Sequence, residues 1–159
     1  MTTISIVVDG GCLNNNLLDM SKRQMYFSMA VLLDDKPVVF HDIGGNERPS
    51  PFCYRNLEKA TENEVRSNNV AELIAMESAL LYLEQFFERT TDLNRRAFVE
   101  IWTDSADVFG WLNGNKVKAQ HLVSYVEHIK NIHKLLALKR CMHSIVLKPR
   151  AEIVAILGH

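Results

Sequence analysis

The sequence is short of several things. No apolar run approaches the roughly 20 residues that a membrane span requires, so no spanning helix is expected. The opening Met1-Thr2-Thr3-Ile4 has neither a basic region nor a small-residue cleavage site, so no signal peptide is expected. There are 3 cysteines, Cys12, Cys53 and Cys141, an odd number without metal-ligand spacing. They read as reduced thiols of a cytoplasmic protein, which excludes a disulfide or zinc framework. A surplus of positive charge is also missing: 18 Lys and Arg stand against 19 Asp and Glu. A protein that grips a polyanion by charge alone is ordinarily basic, because phosphate neutralisation supplies much of its affinity. A hold on nucleic acid would have to come from a local patch, from amide donors or from bound cations.

What is present suits one domain over residues 1–159, with 47% hydrophobic and 23% charged residues. Thr2 to Val8 is apolar and β-branched and stops at Asp9-Gly10-Gly11, the pattern of a buried strand entering a tight turn. Met25 to Leu33 and Val38 to Ile43 read as two further strands joined by a short polar turn. Gly44 to Arg66 is polar and rich in turn residues, and reads as a long loop with room for a helical turn. From Asn69 to Phe87 apolar residues recur at helical spacing, with Ser67 or Asn68 placed to cap the start. Phe98 to Trp102 is a fourth strand, followed by a helical run to Leu112 that Asn113-Gly114-Asn115 breaks. Ala119 to Leu138 is a long amphipathic helix, Ser144 to Leu147 a fifth strand, and Pro149 opens a last helix that Gly158 can end. Short turns early imply antiparallel pairing, and later alternation with helices implies parallel crossovers. The expected architecture is α/β: a mixed five-stranded sheet, its first three strands antiparallel, with helices on both faces.

Three carboxylates stand at informative places. Asp9 closes the first strand before two glycines, where a ligand can approach the backbone closely; it also suits a turn aspartate. Glu72 lies in the first turns of the long helix, where the helix dipole is itself a sufficient structural reason for an acid. Asp104 follows the fourth strand and precedes a helix, so it reads equally as an N-cap or as a residue beyond a strand end, where α/β sheets bind ligands. If the first and fourth strands are parallel neighbours, Asp9 and Asp104 meet at one edge and the long helix can present Glu72 between them. Clustered carboxylates repel and resist ionisation. Hard divalent cations, Mg²⁺ or Mn²⁺, resolve that conflict, and two ions about 4 Å apart can support phosphodiester cleavage.

These segments resemble ribonuclease H of type 1. Asp9-Gly10-Gly11-Cys12-Leu13-Asn14-Asn15 is similar to its first strand and turn, Ser67-Asn68-Asn69-Val70-Ala71-Glu72 to its asparagine-pair and glutamate helix start, and Thr103-Asp104-Ser105 to its third acidic motif. The element order agrees as well. The resemblance implies a ribonuclease H-like fold. It also implies an endonuclease that uses two metal ions, Mg²⁺ or Mn²⁺, to cut the RNA strand of RNA–DNA hybrids, leaving a 3′-hydroxyl and a 5′-phosphate. Asp9, Glu72 and Asp104 take the metal-binding positions. Gly10, Gly11, Cys12, Asn15, Asn68 and Asn69 take the substrate-contacting ones, where neutral amides can donate to 2′-hydroxyls and base edges. Turn and cap duty is the structural alternative for the asparagines.

The family's fourth carboxylate lies on its last helix. Setting Glu152-Ile153-Val154-Ala155 against its Asp-x-Leu-Ala pattern makes Glu152 the fourth catalytic and metal-binding acid; other alignments put Ile156 or Leu157 there, and His159 is a third candidate. Glu77 reads as a solvated helix residue, and His121, His128 and His133 as solvent-facing. Lys116 and Lys118 read as a solvated loop or as a reduced form of a basic protrusion that some members carry. Trp102 and Trp111 are expected to pack in the core. The chain is expected to act as a monomer. A DNA nuclease or junction resolvase on the same fold, or a non-catalytic nucleic-acid-binding relative, are the alternatives to a hybrid nuclease.

Overall fold

The centre of the molecule is set by one strand that is apolar on both sides. In the computed structural model, which describes residues 2–57, 65–89, 97–138 and 143–158, β1 runs over Thr2–Leu13. It pairs antiparallel with β2 (Gln24–Leu33) and parallel with β7 (Ala97–Thr103), and β7 pairs parallel with β8 (His143–Leu147). Alternation along β1 sends Ile4, Ile6 and Val8 to a large core shared with α1 (Asn68–Arg89), α2 (Ala106–Leu112) and α3 (Val123–Leu138). Val7, on the other face, joins Ala30 and Leu32 beneath Ile153 and Leu157 of α4 (Arg150–Leu157). One face is therefore broadly covered and, among the described residues, the other carries one short helix.

The third position of the sheet is not the single strand expected over Val38–Ile43. Asp34 and Asp35 both take positive φ, 47° and 67°, and form a two-residue turn that puts β3 (Lys36–Val38) opposite Val31–Leu33. The ladder then breaks: the Ser50 hydroxyl accepts from Val31 N and donates to Val38 O, in place of strand partners. The chain leaves the sheet to form a separate hairpin of β4 (Phe40–His41) and β5 (Glu47–Arg48). It returns as β6 (Phe52–Tyr54) along the same edge of β2, opposite Phe27–Met29. Five positions remain across the sheet, with the outer antiparallel one shared by two short strands. The long loop expected from Gly44 thus holds β5 and β6.

The hairpin is organised by one carboxylate. Asp42 is buried; its Oδ1 accepts from the amides of Gly44 and Asn46, and its Oδ2 from Arg48 Nε and Tyr54 Oη. Burial pushes this carboxyl upward, but the Asn46 amide, Arg48 and Tyr54 outweigh it and hold the group below its ordinary range.

Candidate active site

The parallel register of β1 and β7 fixes the first two acids. Val7 lies opposite Trp102, so two residues beyond the paired stretch Asp9 and Asp104 emerge side by side at the same end of the sheet. Asp104 does not cap α2. Ser105 does, accepting from Val108 N, which leaves the Asp104 side chain for the cleft. The third acid comes from α1, whose start crosses the end of β1 so closely that a Cβ on Gly10 would collide with the Ala71 carbonyl. Glycine there is a requirement of packing. The approach lets Gly10 N donate to Glu72 Oε1 over 3.0 Å, which aims Glu72 at the sheet end. Asp9, Glu72 and Asp104 each offer an oxygen, and these three lie within 4.8 Å of one another.

The electrostatics are unfavourable as they stand. Asp9 is 3% exposed, and its Oδ1 finds no hydrogen-bond partner among the described residues. Burial, then the adjoining Asp9 carboxyl and the charge of Asp104, raise Glu72 far above the ordinary carboxylate range. Asp104 is raised for the same reasons, burial first and Asp9 second, while Arg150 opposes the shift. Three acids gathered with so little compensation form a site that lacks positive charge. Around them is an open cleft of about 420 Å³, lined also by Gly11, Tyr26, Asn68, Asp107 and Arg150.

The asparagines tie the start of α1 to the same strand. Asn68 Oδ1 accepts from Cys12 N over 2.8 Å, and Asn15 Oδ1 accepts from Asn68 N over 3.1 Å. Both side-chain carbonyls are thereby turned inward, and each amide nitrogen is left as a donor. Ser67 caps the helix through Val70 N, so Asn68 is spared that duty. Asn69 lies next door, in a hollow of about 540 Å³ with Trp111, Lys116 and Lys118. That hollow shares Ala106 and Asp107 with the acidic cleft, so the two are neighbours on the surface.

No family model and no curated protein matches this sequence. Solved structures do. LC11-RNase H1, isolated from compost by a metagenomic approach, is similar with a TM-score of 0.61 at 22% identity, over 98% of this chain and 91% of that one. The chain has the ribonuclease H fold. The same holds against RNase H1 from the halophilic archaeon Halobacterium salinarum NRC-1, with a TM-score of 0.55 at 18% identity over 95% of this chain and 89% of that one. A structure of LC11-RNase H1 in complex with an RNA/DNA hybrid gives 0.61 at 20% identity, covering 96% of this chain and 90% of that one.

Within this fold the last helix departs from expectation. Glu152 is exposed on α4 and belongs neither to the carboxylate cluster nor to the cleft lining. Arg150 lines the cleft instead, with Nη1 3.5 Å from Asp104 Oδ2. Ile156 is half-buried against the small core under α4, Leu157 is buried within it, and His159 lies outside the described residues. Two residues on a helix differ by about 200° in direction, so Arg150 and Glu152 cannot both face the cleft. Reading the motif by acid identity overlooked that phase; the position of Pro149 at the helix start was the available signal.

Other expectations are corrected. Glu77 is not solvated: it is 6% exposed, accepts from Tyr125 Oη over 2.9 Å and lies 2.9 Å from His128 Nε2, joining α1 to α3. His133 is half-buried, its Nδ1 2.7 Å from His143 Nε2, and burial together with His143 lowers its pKa. His128 is largely exposed but held by Glu77. Trp111 is buried, whereas Trp102 is half-buried beneath Lys148, whose Nζ lies 4.4 Å from the ring centroid.

Proposed function

We propose that this chain is a ribonuclease H, a single domain over residues 1–159 acting as a cytoplasmic monomer, which hydrolyses the RNA strand of RNA–DNA hybrids with the help of divalent cations. The observation that carries the reading is the cluster of Asp9, Glu72 and Asp104 in an open cleft with Asp9 Oδ1 unsatisfied. The donors fit the ion: all three are hard carboxylate oxygens of the kind that hold Mg²⁺ or Mn²⁺, and the buried Asp9 Oδ1 has a lone pair free to coordinate one. When bound, such ions lower the pKa of a water and stabilise the leaving oxygen of a phosphodiester.

The chain's own residues supply position. Glu72 is held by Gly10 N, and the absence of a side chain at Gly10 and Gly11 lets the start of α1 and Tyr26 pack directly against the end of β1 beside the acids. Asn15 and Asn68 present amide donors beside the cleft, chemistry suited to a 2′-hydroxyl and to minor-groove acceptors. Lys116 and Lys118 line the neighbouring hollow, where a second strand's phosphates would be neutralised. The similarity to a structure that holds an RNA/DNA hybrid supports the same class of substrate.

The test is incubation with a labelled hybrid and Mg²⁺ or Mn²⁺, beside Asp9→Asn, duplex DNA and a four-way junction. Hybrid cleavage that the variant loses is expected; cleavage of junctions alone moves the assignment to a resolvase. The exposure of Glu152 favours one further reading, a non-catalytic relative. Calorimetric Mn²⁺ titration decides it, because that relative would lack a site abolished by Asp104→Asn.

A further inference from the structure

Among the described residues, Arg150 is the cation that lines the acidic cleft. Its guanidinium Nη1 is 3.5 Å from Asp104 Oδ2, and it lines the cleft with all three acids. The two partners differ sharply in environment: the Asp104 side chain is 7% exposed and that of Arg150 is 74% exposed. The buried partner has few ways to gain compensation, whereas the exposed one can swing away into water with little loss. Lys148, two residues earlier, is engaged over the Trp102 ring and does not line the cleft.

We infer that Arg150 is a built-in counter-ion that competes with divalent cations for Asp104, so that loading of the metal site requires its guanidinium to be released. The inference rests on the nuclease reading above. It follows from geometry and charge. The guanidinium of Arg150 sets a positive charge 3.5 Å from an Asp104 oxygen, and a charge placed there opposes the entry of a second one. The competition is moderate because the pair makes one long contact and its arginine is largely in solvent. Arg150 is therefore a positioning residue that sets how much cation the site needs, and α4 carries it where the motif reading had placed an acid.

The test is calorimetric titration with MnCl₂ alone of the unmodified protein, Arg150→Ala, Arg150→Lys and Asp104→Asn, with circular dichroism to verify folding. Arg150→Ala is expected to bind Mn²⁺ about three- to tenfold more tightly, the size of effect that one partly screened charge produces at such a distance. Arg150→Lys, which keeps the charge, is expected within about twofold of the unmodified protein. Equal or weaker Mn²⁺ binding by folded Arg150→Ala overturns the inference while leaving the nuclease reading intact. If the unmodified protein shows no Mn²⁺ site that Asp104→Asn removes, the metal centre itself is refuted and this inference falls with it.

Discussion

The hairpin carboxylate Asp42 and the three acids at the sheet end live in opposite surroundings. Asp42 is surrounded by donors: two backbone amides, a guanidinium and a phenol occupy its oxygens. Asp9 is buried like Asp42, and half-buried Glu72 and Asp104 join it, but these three face mainly one another, with one backbone amide on Glu72 and one loosely held arginine near Asp104. Burial alone does not separate a structural acid from a functional one. Satisfaction does. Mutual repulsion is tolerated in one place and quenched in the other, and the proposed metal site is the place where it is tolerated.

The comparison is most strongly tested by removing one acid from each group. Asp9→Asn is expected to lower hybrid cleavage by at least about a hundredfold, the scale seen when a group that organises transition-state charge is lost. The same change should leave metal-free stability equal or raised by up to about 1 kcal/mol, since repulsion is relieved. Steady-state kinetics and urea unfolding measure the two. Asp42→Ala should do the opposite, lowering stability by about 2–4 kcal/mol as Arg48, Tyr54 and two amides lose their acceptor, with cleavage per folded molecule retained. Equal destabilisation by both variants would erase the distinction.

Addition of cation sharpens it further. Mn²⁺ at about a hundred times its dissociation constant should stabilise the unmodified protein and Asp42→Ala alike, by about 2.7 kcal/mol, read as a rise in Tm. Asp9→Asn should lose most of that rise. A rise that persists in Asp9→Asn would place the ion elsewhere.

The acidic group was legible in the sequence and the Asp42 group was not, for a physical reason. Asp9 and Asp104 follow strand-forming runs, and the parity of two parallel strands carries both to one edge. Glu72 follows from the helix start beside them. Each rests on local patterns that burial of a long element enforces. Asp42 instead organises strands of two and three residues through Arg48 and Tyr54, 6 and 12 positions away, and no periodicity marks such contacts. Glu77 was hidden in the same way, because its partners Tyr125 and His128 come from another helix. Arg150 against Glu152 was a matter of helical phase, invisible to an alignment that weighs only which residue is an acid.

The smallest effect concerns pH, where the two groups should act with opposite sign. Asp42 is held below its ordinary range, so its contribution is present above the unfolded carboxylate value of about 3.9 and is lost as pH falls through the lower folded value. Glu72 and Asp104 are held above theirs, by burial first and by the neighbouring acids second. In metal-free protein their protonated forms are favoured in the fold. The stability they allow is therefore full below the unfolded carboxylate range and declines as pH rises toward their folded values. Urea unfolding in chelator across pH 3 to 8 should show both arms. Asp42→Asn should flatten the acid arm, and Asp9→Asn should lessen the decline on the alkaline side. A single variant that flattened both arms would show that the two groups are not independent.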